Sequence, residues 1–138
     1  MKLERKLSSE SKRPPVDGTR PRVLIADDHS SIVEALRILL APDCDVVAAV
    51  TNCDALLEAA RRLQPDVVLL DLNLPDGTSL LACAEITRTA RGTRVIMLTG
   101  GADANDRPHV LAAGASAFID KYSIADDLLP AIARSLGQ

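Results

Sequence analysis

Asp27, Asp28, Asp71, Thr99 and Lys121 are the side chains of this sequence whose types and placement suit phosphoryl chemistry. Each lies at or just past the end of an apolar run. Arg22-Val-Leu-Ile-Ala26 precedes the Asp27-Asp28 pair, and Asp66-Val-Val-Leu-Leu70 precedes Asp71. Arg94-Val-Ile-Met-Leu98 precedes Thr99, and Ser116-Ala-Phe-Ile119 comes shortly before Lys121. Three carboxylates crowded together repel one another unless a cation stands among them. A hard divalent cation such as Mg²⁺ prefers oxygen ligands and keeps several waters, so two carboxylates and a backbone carbonyl suffice to hold it. Such an ion can clamp a phosphoryl group against one carboxylate, which then attacks as the nucleophile. Lys121 would balance charge on the transferred oxygens, and the Thr99 hydroxyl would donate a hydrogen bond to one of them.

Taken singly, each residue has a plainer role. Asp27 and Asp28 would cap a helix, and Asp71 would be a strand-end carboxylate before a turn. Thr99 would be a loop hydroxyl, Lys121 a solvated lysine and Phe118 a core ring. Their order at successive strand ends outweighs those roles together. His29 reads as a surface or helix-start residue rather than a catalytic base.

The elements that must position these groups alternate along the chain. After the strand over 22–26, apolar residues at Ile32, Val33, Leu36, Leu39 and Leu40 keep a helical period from Ser30 to Leu40, stopped by Pro42. Asp45–Val50 is a second strand, and Asn52–Leu63 a second helix with Pro65 just beyond it. Asp66–Leu70 is apolar after its first residue, as suits a central parallel strand buried on both faces. Pro75-Asp76-Gly77 is a turn before a helix over Leu80–Ala90. A fourth strand spans Arg94–Leu98. A fourth helix lies between Asp103 and Ala113, with Pro108 in its first turn, and a fifth strand spans Ser116–Ile119. Ser123-Ile-Ala-Asp126 suggests a capping box opening a last helix that Pro130 should bend. Alternating strands and helices imply an α/β fold, a parallel sheet with helices on both faces. Ligands of such sheets bind beyond the carboxyl ends of the strands, where the five residues stand.

Composition sets the limits. The chain of 138 residues suits one domain, and it is 47% hydrophobic with Tyr122 and Phe118 its only aromatics. Ala, Val, Ile and Leu must therefore build the core. A net charge of −3 argues against a nucleic-acid binder acting through its own charge. Cys44, Cys53 and Cys83 lack metal spacing and read as reduced thiols. No apolar run approaches the roughly 20 residues of a membrane span, and Met1–Pro21 lacks a secretory apolar stretch, so a cytoplasmic location is expected. Residues 1–21, polar and carrying Pro14, Pro15, Gly18 and Pro21, are expected to form a flexible tail ahead of a domain over 22–138.

Four segments carry a resemblance: Leu24-Ile-Ala-Asp-Asp28-His29, Pro65-Asp-Val-Val-Leu-Leu-Asp71-Leu-Asn-Leu-Pro75, Val95-Ile-Met-Leu-Thr99 and Ala113-Gly-Ala-Ser-Ala-Phe118-Ile-Asp-Lys121. Over about residues 21 to 136 the chain resembles the receiver domains of two-component response regulators. The Asp-Asp-His start and the Ala-Gly-Ala-Ser segment look most like receivers that carry a LuxR-type helix-turn-helix effector. The resemblance implies a flavodoxin-like (βα)5 three-layer sandwich with parallel strand order 2-1-3-4-5. It makes Asp71 the phosphoacceptor, charged by a sensor histidine kinase or histidine phosphotransferase. Asp28 would ligate Mg²⁺ directly and Asp27 partly through water, with Asp71 and the backbone carbonyl of Asn73 completing the set. Thr99 and Phe118 resemble the switch pair that remodels the face of the fourth helix, fifth strand and fifth helix, where an effector or partner protein would dock. Such a module catalyses its own phosphorylation and slow hydrolysis and is not a turnover enzyme; it would be a monomer or weak dimer. The chain ends at Gln138, before a helix-turn-helix effector would fit, which suits a stand-alone receiver or a piece of a longer protein.

Departures stand at Ser79, where the family often has Gly, at Gly100-Gly101, whose small second residue leaves access to the phosphoryl site, and at Pro108, which shortens the fourth helix. Three other functions fit the residues less well. A phosphatase of the haloacid-dehalogenase type wants Asp where Asn73 stands and a nucleophile on its first strand. A flavodoxin-like cofactor binder wants aromatics and a hydroxyl-rich first loop. A degenerate receiver that only binds a partner would not need the intact five-residue set.

Overall fold

In a computed structural model that describes residues 20–101 and 105–137, five strands and five helices alternate. They are β1 (Arg22–Ala26), α1 (Ser30–Leu40), β2 (Asp45–Val50), α2 (Cys53–Leu63), β3 (Val67–Asp71), α3 (Ser79–Thr89), β4 (Arg94–Thr99), α4 (Asp106–Ala112), β5 (Ala117–Asp120) and α5 (Ile124–Ser135). The expected tail lies almost wholly outside the described residues, as does the expected start of the fourth helix at Asp103.

The strands pair in parallel in the order β2-β1-β3-β4-β5, the flavodoxin-like arrangement. The alternation of side chains along each strand then divides the core in two. Val23, Ile25, Val67, Leu69, Ile96 and Leu98 face Leu36 and Leu40 of α1 and Leu128, Ala131 and Ile132 of α5. Leu24, Val68, Leu70, Val95 and Met97 face Leu56 and Ala60 of α2, Ala82 and Ile86 of α3 and Val110 of α4. Every residue of β1 and β3 is buried. This is the physical basis of their unbroken apolar runs.

Local chemistry ends the helices where the sequence signals it. The Asn52 side chain accepts from the backbone N–H of Ala55 at 2.8 Å and caps α2. Gln64, at φ 48°, closes α2 in the left-handed region just before Pro65. Gly114 closes α4 at φ +101°, and a Cβ there would stand 2.6 Å from Thr87 Oγ1 on α3, so only glycine fits.

The capping box expected at Ser123-Ile-Ala-Asp126 does not form. Ser123 makes no side-chain cap to α5. A single 3-10 turn, Lys121–Ser123, comes first, and Asp120 caps it by accepting from the Tyr122 N–H at 2.8 Å. The cap that forms is therefore on the 3-10 turn, from Asp120, and not on α5 from Ser123. Pro108 is the third residue of α4, within its first turn as expected, and Pro130 lies inside α5. Strand β3 runs Val67–Asp71, so Asp71 is its last residue, at the strand end where the sequence placed it.

Candidate functional site

The carboxyl ends of β1, β3 and β5 bring an acidic cluster together at one edge of the sheet. β1 is followed directly by Asp27, whose backbone N–H donates to the Val50 carbonyl at the end of β2. Asp27, the final β3 residue Asp71, and the final β4 residue Thr99 are all about 1% exposed, whereas Asp28 is exposed. β5 delivers Lys121, whose side chain is only 8% exposed. Its ammonium reaches back across the sheet edge to lie 2.6 Å from Asp27 Oδ2 and 3.3 Å from Asp71 Oδ2.

Those two oxygens are the notable atoms of the site. Both are buried, and among the described residues neither has a hydrogen-bonding partner beyond the ammonium it pairs with. One Lys⁺ cannot neutralise two buried carboxylates with Asp28 beside them, and unpaired buried charge is costly. A further cation therefore fits the donor set: oxygen atoms, partly buried and short of positive charge. The inner oxygens are occupied. Asp27 Oδ1 accepts the His29 backbone N–H at 2.8 Å, and Asp71 Oδ1 accepts the Asn73 backbone N–H at 3.0 Å. Asp27 thus serves both the helix start and the cluster. The Asn73 bond holds the loop after β3 against the Asp71 carboxylate.

Of the residues singled out in the sequence, Asp27, Asp28, Asp71 and Lys121 come together. Thr99 ends the neighbouring strand, where its Oγ1 meets the Gly101 carbonyl and N–H, each at 3.3 Å. These are long bonds that a better acceptor would displace. Phe118 pairs in register with Met97 and packs half-buried against the α2–α3 side of the core, with the Arg107 guanidinium 5.6 Å from its ring centre.

Three further residues make contacts in and beside the site that their sequence positions did not imply: His29, read as a helix-start residue, Ser79, read as a departure from the family glycine, and Asp76, read as part of a turn. His29 does start α1, but its Nδ1 stands 3.0 Å from Asp27 Oδ1, 3.4 Å from Asp28 Oδ1 and 3.9 Å from Asp71 Oδ2. Adjacency to two strand-end carboxylates was the available signal. Ser79, first residue of α3, donates its hydroxyl to the Asp71 backbone carbonyl at 2.7 Å and lies 4.0 Å from Cys53 Sγ. Asp76, in the same loop, accepts the Cys53 N–H at 2.8 Å, which lowers its carboxyl below the ordinary range. All three cysteines are buried and free, and burial pushes the Cys44 and Cys83 thiols up to about 11.

Residues 23–133 match the family model for the response regulator receiver domain. The DNA-binding response regulator MtrA of Mycobacterium tuberculosis is 36% identical over 106 residues, 77% of this chain and 46% of that protein. The chain spans about half the length of the curated relatives it matches. A LuxR-family two-component response regulator from Aurantimonas superposes with a TM-score of 0.79 at 28% identity, covering 86% of each chain. A CheY-like receiver domain protein from Methanospirillum hungatei gives 0.77 at 28% identity, over 86% of this chain and 94% of the other. The likeness therefore includes LuxR-family receivers without being confined to them. Among the described residues, no helix is long and apolar enough to cross a membrane.

Proposed function

The chain belongs to the response regulator receiver domain family of two-component systems, and from that premise we propose that it is a phosphoacceptor switch charged on Asp71. One observation carries this: the Lys121 ammonium lies within 2.6 Å of Asp27 Oδ2 and 3.3 Å of Asp71 Oδ2, two buried oxygens otherwise short of partners.

Asp27, Asp28, Asp71 and the Asn73 backbone carbonyl would hold Mg²⁺, the first three through carboxylate oxygens. When bound, Mg²⁺ supplies the positive charge that lets carboxylates and phosphoryl oxygens share one site. Everything else falls to the protein. Asp71 Oδ2 attacks phosphorus, forming an O–P bond as the P–N bond of a donor phosphohistidine breaks and its electron pair returns to the imidazole nitrogen. With Asp71 Oδ1 held by the Asn73 N–H, Oδ2 is the oxygen free of a backbone bond and the one proposed to attack. Lys121 needs no rearrangement to meet the incoming negative charge.

After transfer, the Thr99 hydroxyl exchanges its long contacts at Gly101 for a phosphoryl oxygen. Phe118 then turns into the space Thr99 leaves and releases Arg107. This remodels the α4–β5–α5 face, which would receive an effector domain or partner protein. The donor would be a sensor histidine kinase or histidine phosphotransferase, meeting the chain in the cytoplasm. Chemistry of this kind is self-catalysed transfer with slow hydrolysis, not turnover.

Acetyl phosphate with Mg²⁺ is expected to add one acid-stable, base-labile phosphoryl group. Asp71→Asn should abolish it; labelling that persists on that variant overturns the assignment.

A further inference from the structure

His29 has no task in the phosphoryl transfer described above, yet its imidazole stands inside the acidic cluster. Asp27, Asp28, His29 and Asp71 each offer one ligand atom, and these atoms all lie within 4.8 Å of one another. From Nδ1 the separations are 3.0 Å to Asp27 Oδ1, 3.4 Å to Asp28 Oδ1 and 3.9 Å to Asp71 Oδ2. Ligands bonded at about 2.1 Å to a single ion are about 3.0 Å apart along an octahedral edge and about 3.4 Å apart along a tetrahedral one. The imidazole is therefore already at the spacing of two ligands of one ion from Asp27 and Asp28, and about half an ångström beyond it from Asp71. Independently, Asp27 Oδ2 and Asp71 Oδ2 are buried and share a single Lys121 ammonium, with no other hydrogen-bond donor on either among the described residues.

A nitrogen donor in this position changes which ions the site prefers. Mg²⁺ is hard and gains little from imidazole, whereas Zn²⁺ and its neighbours bind imidazole and carboxylate together. Resting on the metal-dependent reading above, we infer that His29 turns this cluster into a site for a borderline divalent transition ion of the Zn²⁺ type. The ion is held by the His29 imidazole with Asp27, Asp28 and Asp71, and it competes with Mg²⁺. The thiols offer no rival site: all three cysteines are buried, and none belongs to a group of three or more metal-ligating side chains among the described residues. The other histidine, His109, lies on α4.

Calorimetric titration of the whole chain with Zn²⁺ and, separately, with Mg²⁺ tests this, on the wild type, His29→Gln and His109→Gln. The wild type is expected to bind Zn²⁺ at least about tenfold more tightly than Mg²⁺, and His29→Gln to lower the Zn²⁺-to-Mg²⁺ affinity ratio about tenfold. His109→Gln should leave that ratio unchanged. His29 makes no side-chain cap to α1, so the substitution removes no cap bond. An unchanged ratio in His29→Gln, or an equal fall in His109→Gln, overturns the inference. Mg²⁺-dependent labelling by acetyl phosphate, measured in parallel, separates the two readings. Labelling of the wild type together with a Zn²⁺ affinity indifferent to His29 sinks the transition-metal site alone. No labelling, with Zn²⁺ still dependent on His29, sinks the phosphoacceptor and leaves the metal site standing.

Discussion

The Ser79 hydroxyl donates to the Asp71 backbone carbonyl at 2.7 Å, so the first residue of α3 pins the last peptide of the strand that carries the proposed nucleophile. Ser79 is 2% exposed, and the bond is shielded from water. Ser79→Ala leaves that carbonyl without its partner, at a cost of about 0.5–1.5 kcal/mol. Urea denaturation should show the loss, and Mg²⁺-dependent labelling of Asp71 should slow. A variant as stable and as quickly labelled as the wild type would remove Ser79 from the site.

Lys121 is the cation the structure itself supplies to the buried carboxylates. Replacing it with Met keeps the stem and deletes the charge, leaving Asp27 and Asp71 uncompensated. Breaking a buried pair in this way costs roughly 3–5 kcal/mol. Denaturation without Mg²⁺ should show a loss of that order, and added Mg²⁺ should recover more stability in the variant than in the wild type. Equal recovery in both would mean that the metal and Lys121 do not share these oxygens.

Two carboxyls give opposite pH signatures. Asp76 is held below its ordinary value of 3.8, first by the hydrogen bond from the Cys53 backbone N–H. A lowered folded value means stability present above 3.8 and lost as pH falls through the lower folded value. Asp66 is raised above 3.8, first by burial, against the opposing hydrogen bond from the Arg22 N–H. Its favourable contribution is complete below 3.8 and lost as pH rises through the raised folded value. Stability followed across the acid range should therefore fall less steeply with acid in Asp76→Asn than in the wild type. In Asp66→Asn the loss seen on the way up from acid should be smaller. Reversed slopes would contradict both assignments.

Arg107 lies over the Phe118 ring, 5.6 Å from its centre. A contact of this kind is worth about 0.5–1 kcal/mol at an exposed site, or roughly two- to fivefold in an equilibrium. It favours the half-buried position of the ring that the proposed switch would give up. Arg107→Ala should lower, by roughly that factor, the acetyl phosphate concentration giving half-maximal labelling. No change, or a rise, would take Arg107 out of the switch.

Much of the fold was legible because its signals are local. The apolar runs of β1, β3 and β4 and the helical spacing of Leu36 and Leu40, or of Leu56 and Ala60, each lie within a dozen residues of chain. Helix ends were legible where a side chain reaches three residues along, as Asn52 does, or where Pro65 blocks continuation. The capping box at Ser123 was misleading because Asp120 starts the turn earlier, and nothing in the local pattern ranks one polar side chain above the other.

The sequence by itself determined that Asp27, Asp28, Asp71, Thr99 and Lys121 stand at strand ends and so share one edge of a parallel sheet. Strand length and side-chain period are properties of contiguous chain, and parallel strands must all end on the same side. Only the tertiary structure decided which atoms meet there. It set the Lys121 ammonium on Asp27 and Asp71, turned the His29 ring into the carboxylates, tied Ser79 to the Asp71 carbonyl and laid Arg107 over Phe118. Those contacts depend on side-chain rotamers chosen under the packing of distant elements, and no spacing along the chain encodes them.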